Sequence, residues 1–287
     1  MSDQASPDCL VTQLTNRVKL KSLLKRTLVT LASISVFTYC AAMAYLYLRQ
    51  EALLFFPDPE NAADAAVFSE FDTTFSVDGQ TLDGWYIPGD SGLTVVYYGG
   101  NAEELSRRID NIILFGPYNY LLINYRGFGD STGSPGEQSM KTDALAILEM
   151  ARMRYGFDYA DTVIIGRSLG TGVATHVAAT LPVRGLVLIT PYDSIRAVAQ
   201  GRYPIFPVGL LLRHHFDSMP YLEAITAPAL IIKAETDRVV PHVHTDNLVA
   251  GWQGPLTFTT LPGSHGSVVN SDIFTQRIST FISQLPE

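Results

Sequence analysis

"VIIGRSLGTG", residues 163–172, decides how this chain is read. Three β-branched apolar residues make a buried strand. Gly166-Arg167-Ser168-Leu169-Gly170 breaks it, and the Ala- and Thr-rich stretch that follows suits a helix. A strand that turns sharply into a helix around a G-x-S-x-G pentapeptide lifts its serine hydroxyl above the edge of a sheet, at the positive end of the helix. Side chains at the two flanking positions would collide with neighbouring backbone, which accounts for the glycines. The bare pentapeptide is a weak signal and also describes a Gly-rich turn with a helix-capping serine. The strand before it and the helix after it make Ser168 a candidate nucleophile.

Working outward, similar apolar runs recur at 93–98, 119–125, 161–166, 184–190, 228–234 and 256–261. They are rich in Val, Ile, Leu and Tyr with little polar alternation, as strands covered on both faces require. Helical stretches at 103–115, 138–154, 169–181, 242–250 and 270–284 separate most of them. Alternation of this kind predicts an α/β fold with a mostly parallel sheet and helices on both faces. Before it, "FDTTFSV" and "QTLDGWYIP" flank Asp78-Gly79, a hairpin signal. Ligands bind beyond the carboxyl ends of such parallel strands.

A serine hydroxyl needs a base, and the base an orienting carboxylate. In strand–elbow–helix hydrolases the chain order is serine, acid, histidine. Of six histidines, His176 sits inside the helix after Ser168. His214 and His215 follow an apolar "VGLLL", and His242 and His244 open a helix. His265, in the Gly/Ser loop "LPGSHGSVV" past the last strand, is the predicted base. Asp237, three residues beyond the strand "PALIIKA", is the predicted acid, although a turn-forming aspartate would read the same way. Asp193 in "TPYDSI" is the runner-up and Asp217 a weaker one; Glu235 is expected to point elsewhere. The oxyanion donors are the backbone N–H groups of Leu169, the residue after the nucleophile, and Asn101, in the loop Gly99-Gly100-Asn101-Ala102. Removing such a donor costs about 3 kcal/mol of transition-state stabilisation.

The N-terminus is a separate problem. Residues 27–48, "TLVTLASISVFTYCAAMAYLYL", contain no Asp, Glu, Lys or Arg. That is the length of a membrane-spanning helix. In residues 1–26, Arg17, Lys19, Lys21, Lys25 and Arg26 outnumber Asp3 and Asp8 by three. The whole chain carries −8, so the other 261 residues carry −11. The positive-inside rule then places the head in the cytoplasm and the rest, including the catalytic domain, outside it. A cleaved signal peptide and a buried helix are the competing readings, the former because of the small-x-small Ala42-Met43-Ala44. The expected organisation is a basic head (1–26), an anchor (27–48), a stalk or linker (49–68) and a catalytic domain (69–287). Residues 193–222 are long for a simple connection and are read as a small cap rather than an ordinary crossover helix.

Acidic balance argues against nucleic acid as the main partner. Cys9 and Cys40 both precede the catalytic domain, and no H-E-x-x-H occurs, so no disulfide, metal or organic cofactor is implied. Partners reduce to a small or lipid-like acyl substrate and the membrane, with oligomeric state left open.

At these residues the chain resembles the α/β-hydrolases. It resembles the membrane-tethered branch that includes bud-emergence-type hydrolases and ABHD-type depalmitoylases. "YRGFGDSTGSPGE" (125–137) matches that branch's Y-R-G-x-G-x-S-x-G-x-P-x-E throughout, and "EALLFFP" (51–57) its E-x-L-x-F-x-P. The serine elbow, "TPYDSI", the D-x-x-V-P at Asp237 and the late histidine follow in order, so the likeness spans residues 27–284. Where the branch reads H-G-N-A-G, this chain has Gly99 for the histidine and Glu103-Glu104 for small polar residues. The 125–137 stretch reads as scaffold, with Arg126 bridging loop carbonyls beneath the site. The resemblance implies a Ser168–His265–Asp237 hydrolase for carboxylic esters or thioesters, without a cofactor. A peptidase or amidase on the same fold, or an inactive binding protein, are the other readings, because a fold and a triad do not fix the leaving group.

Overall fold

The computed structural model describes residues 7–286. Residues 1–6 of the basic head, with Asp3, lie outside the described residues. Two compact units divide the chain, Met1–Gln50 and Glu51–Glu287.

Among the described residues the first unit is one helix, α1 (Pro7–Leu54), whose last four residues belong to the second unit. Basic head and apolar span are thus continuous in one element. Its portion Thr15–Leu54 contains an 18-residue stretch with a mean hydropathy of 1.7, none of which is buried. This helix is long and apolar enough to cross a membrane.

In the second unit, eight strands form one sheet among the described residues: β1 (Asp72–Val77), β2 (Gln80–Ile87), β3 (Thr94–Tyr98), β4 (Asn119–Ile123), β5 (Thr162–Arg167), β6 (Gly185–Ile189), β7 (Ala229–Ala234) and β8 (Leu256–Leu261). Their order is β1-β2-β4-β3-β5-β6-β7-β8. β1 and β2 form the hairpin, turning through Asp78 and Gly79, both at positive φ (48° and 73°), and β2 runs antiparallel to β4. Every later pairing is parallel. The helices are α2 (Ala62–Val67), α3 (Ile109–Ile112), α4 (Glu137–Tyr155), α5 (Leu169–Thr180), α6 (Ile195–Arg202), α7 (Val208–Leu211), α8 (His242–Gly251) and α9 (Asp272–Ser283).

The central strands β3, β5 and β6 are buried at every position because they face two cores. Along β3, Val95 and Tyr97 enter one core with Leu105, Ile109, Phe274 and Ile278; Val96 and Tyr98 enter the other with Leu148, Val173 and Val177. Side chains alternate across a strand, so a doubly covered strand reads as an unbroken apolar run. The chain leaving β3 packs on one face and α5, leaving β5, on the other. The connections leaving these adjacent parallel strands therefore pass to opposite faces of the sheet, the kind of switch point beside which ligands bind.

Two expectations are corrected. The predicted helix over 103–115 is a succession of short turns: 3₁₀ at Leu105–Arg108, α3, then 3₁₀ at Ile113–Phe115. Residues 193–222, expected as a small cap, fold as α6, α7 and a 3₁₀ turn from Met219. The segment 49–68, expected as stalk or linker, is partly core. Phe55 is 3% exposed and meets Phe216 and His214 edge-on. Burying one such ring stabilises by about 1.5–3 kcal/mol. Asp58 adds an ion pair with Arg107 at 2.8 Å and accepts the Gly129 N–H. The compact unit therefore starts at Glu51, not at residue 69.

Candidate active site

Ser168 follows β5 directly, Asp237 lies three residues past β7, His265 four past β8, and the Gly99–Ala102 loop leaves β3. These strands are parallel, so all four segments meet at one edge of the sheet.

At Ser168 the backbone adopts φ 47°, ψ −114°. For a non-glycine residue this is strained by roughly 1–3 kcal/mol, and packing on both sides enforces it. A Cβ on Gly166 would sit 2.6 Å from the Gly170 carbonyl oxygen; one on Gly170 would sit 2.2 Å from that of Tyr98. Only glycines let the turn close this tightly. Ser168 N–H donates to Ile189 O on β6 at 2.9 Å, fixing the elbow to the sheet.

Ser168 Oγ lies 2.8 Å from His265 Nε2, and His265 Nδ1 lies 2.8 Å from Asp237 Oδ2. Asp237 Oδ1 accepts the Val239 and Val240 N–H groups at 2.8 and 2.9 Å. Burial opposes ionisation of this carboxyl, but the His265 partner and the two amides outweigh it and hold its pKa below the usual value of 3.8. The His265 loop is braced by its own serines, Ser264 N–H donating to Ser267 Oγ at 2.9 Å. Thr236 ties the acid's loop to it, donating from N and Oγ1 to Gly263 O at 3.0 and 2.9 Å.

Among the described residues, the Asn101 and Leu169 backbone N–H groups have no protein acceptor. Leu169 opens α5, where an N–H lacks an intrahelical partner and the helix dipole favours negative charge. The Asn101 side chain faces away from this work. Its Nδ2 donates to Leu54 O at 2.6 Å, and its Oδ1 accepts the Phe56 N–H at 2.9 Å. The chain entering the domain is thus clipped to the loop after β3, a contact that no sequence signal announced.

The other candidates lie elsewhere. Asp193 is buried with His244, whose Nδ1 is 2.9 Å from Asp193 Oδ1; Asn247 Nδ2 donates to Oδ2 at 2.8 Å. Asp217 accepts from Arg196 at 3.4 Å, and Glu235 is exposed. His176 stacks edge-on against Tyr221, His214 Nδ1 accepts the Glu137 N–H at 3.2 Å, His215 Nε2 is 2.8 Å from Leu212 O, and His242 Nε2 is 3.1 Å from Ala234 O. Arg126 does not bridge loop carbonyls. It forms a two-pronged pair with Asp143 on α4, both contacts at 2.7 Å. No group of three or more His, Cys, Asp or Glu among the described residues could hold a metal ion.

A family model described as the alpha/beta hydrolase fold matches residues 87–207. An uncharacterized protein of Mycobacterium tuberculosis is 33% identical over 229 residues, covering 77% of this chain and 82% of that one. This chain is an α/β hydrolase. Its relatives place it with the ABHD type: the lysophosphatidylserine lipase ABHD12 of Danio rerio is 29% identical over 216 residues, which are 65% of this hydrolase and 55% of that longer protein. The esterase Pf2001 of Pyrococcus furiosus superposes on 80% of this hydrolase and 98% of its own chain with a TM-score of 0.63 at 19% identity, a likeness of fold.

Proposed function

We propose that this α/β hydrolase is a membrane-anchored serine hydrolase that cleaves carboxylic esters or thioesters of lipid-like molecules. The observation that carries the reading is the unbroken relay from Ser168 Oγ through His265 to Asp237, two contacts of 2.8 Å, at a strained elbow. An ionised Asp237 keeps the proton on His265 Nδ1, leaving Nε2 to accept the Ser168 proton. Ser168 Oγ then attacks the acyl carbonyl carbon. The negative oxygen is met by the Asn101 and Leu169 N–H groups, and His265 hands its proton to the leaving alcohol or thiol. Water repeats the sequence on the acyl-enzyme and restores Ser168.

The lipid-like preference is supported by the name of the Danio rerio relative and by α1, whose apolar span would hold the enzyme at a bilayer. With the basic head in the cytoplasm, the catalytic unit would face the outside of that membrane.

The test uses the full chain in detergent, because Phe55 and Asp58 are part of the catalytic unit. p-Nitrophenyl esters of rising chain length, an acyl thioester and an aminoacyl anilide are assayed beside Ser168→Ala. Ester or thioester turnover rising with chain length and lost in the variant is expected, together with loss of fluorophosphonate labelling. Preference for the anilide would make the enzyme an amidase, and equal labelling of the variant would remove Ser168 from the mechanism. Protease added to spheroplasts should digest the catalytic unit and spare an N-terminal tag.

A further inference from the structure

Glu103 stands where the resemblance leads one to expect a small residue, and it is buried, 5% exposed. A lone carboxylate in that position would be costly. This one is saturated. Its Oε2 accepts the Gly100 N–H at 2.5 Å. Its Oε1 lies 2.7 Å from Arg167 Nη1 and 2.7 Å from Arg108 Nε. Arg167 is itself buried and immediately precedes Ser168. Burial works against its charge, but the Glu103 carboxylate more than compensates and raises its pKa above the ordinary arginine value.

The two arms of this carboxylate reach the two halves of the site. One holds Gly100, next to Asn101, in the loop after β3. The other holds Arg167, two residues before Leu169, at the end of β5. Those segments, which leave the neighbouring strands β3 and β5 at this edge, carry the two N–H groups proposed to meet the oxyanion. The approach is close: a Cβ on Gly100 would lie 3.2 Å from Glu103 Oε2 and 3.6 Å from Ser168 Cβ. Glu103 also takes up the Gly100 N–H, so that amide points inward while the next one, on Asn101, stays open.

We propose that Glu103 is a positioning residue for the oxyanion hole, an internal ionic clamp that sets the spacing between the Asn101 and Leu169 N–H groups. It touches no substrate and acts through both loops. A pair of charge-assisted hydrogen bonds in a buried setting is directional enough for this, and oxyanion donors are effective only when held where charge develops. Glu103→Gln keeps an acceptor for Gly100 but turns an amide NH₂ toward two guanidinium groups, so the clamp opens at Arg167. The inference rests on the serine-hydrolase reading above.

The experiment measures kcat and KM on a short-chain p-nitrophenyl ester for the full chain, Ser168→Ala, Glu103→Gln and Glu103→Ala. Rates are expressed per active site counted by exhaustive fluorophosphonate labelling, which removes unfolded protein from the comparison. A fall in kcat per site of about 10- to 100-fold in Glu103→Gln, with KM within about threefold, is expected, since one oxyanion donor is worth roughly 10²–10³ in kcat. Affinity for an alkyl boronic acid, whose tetrahedral adduct fills the same hole, should weaken in parallel. If Glu103→Ala fails to fold, Glu103→Gln carries the test alone. Unchanged kcat per site in Glu103→Gln, with fewer sites or a lower melting temperature, overturns the positioning role and leaves the hydrolase reading standing. Wild-type turnover that survives in Ser168→Ala, or no turnover at all, overturns the hydrolase reading and this one with it.

Discussion

Two aspartate–histidine pairs in this molecule have nearly the same geometry and different surroundings. Asp237 and His265 are 2.8 Å apart, Asp193 and His244 2.9 Å apart. Both aspartates follow parallel strands, β7 and β6. The difference is on the far side of the imidazole. His265 Nε2 meets the hydroxyl of a half-buried serine on a strained turn. His244 sits inside α8, 8% exposed, and its carboxylate is saturated by Asn247 and the Ser194 N–H. The second pair joins the chain after β6 to α8 and has no reacting group to serve. A histidine–carboxylate hydrogen bond is therefore a device for fixing a ring, and the atom on its other nitrogen decides whether the fixed ring does chemistry.

Mutation should separate the pairs cleanly. His265→Ala is expected to lower kcat by roughly 10⁵–10⁶ with little effect on melting, as for other triads. Asp237→Asn should cost about 10⁴, because the imidazole then takes the wrong tautomer. Asp193→Asn should do the reverse. kcat per labelled site stays within about twofold, while breaking a buried, hydrogen-bonded pair costs about 2–4 kcal/mol. For a unit of this size that lowers Tm by roughly 5–10 °C. Matched melting curves and steady-state kinetics on these variants check the set. A loss of turnover in Asp193→Asn at full stability would make the two pairs functional equivalents and break the comparison.

A carboxylate without a histidine gives the smallest and most specific contrast. Folding lowers the Asp237 pKa, so its contribution to stability is present above about pH 4 and is lost as pH falls through the folded value. Glu60 has the opposite sign. Burial and the negative charges of Asp130, Asp83, Glu104 and Asp72 raise its pKa from 4.5 to about 7. The folded chain holds the extra proton, so the stability from this group is full below about pH 4.5 and declines as pH rises through 7. Denaturation midpoints between pH 5 and 7.5 should fall with rising pH in the wild type and flatten in Glu60→Gln. An unchanged slope would show that Glu60 ionises freely.

The fold was legible because buried parallel strands leave unbroken apolar runs and elbows need glycines. The 93–98 and 161–166 runs, for instance, match β3 and β5 within a residue or two. Chain order also picked out Ser168, Asp237 and His265, which the fold brings within hydrogen-bonding distance. What escaped the sequence was set by partners far away along the chain. Nothing local to Glu103 shows that its partner is Arg167, 64 residues on. "EALLFFP" reads as a stalk until Phe55 finds Phe216. Periodicity is blind to both, since each depends on a contact rather than a pattern. The resemblance marked Glu103 as unusual but not what it binds.

The amide clip between Asn101 and the backbone of Leu54 and Phe56 has a consequence for how such an enzyme is controlled. The strap clipped to the loop after β3 is also the chain that joins α1 to the unit bearing the sheet. A protease that severed it between Phe56 and Glu60 would separate the unit from α1 and, in the same cut, loosen a brace on the loop carrying Asn101. Release and inactivation would then be one event: shedding would silence this hydrolase rather than send an active enzyme into solution.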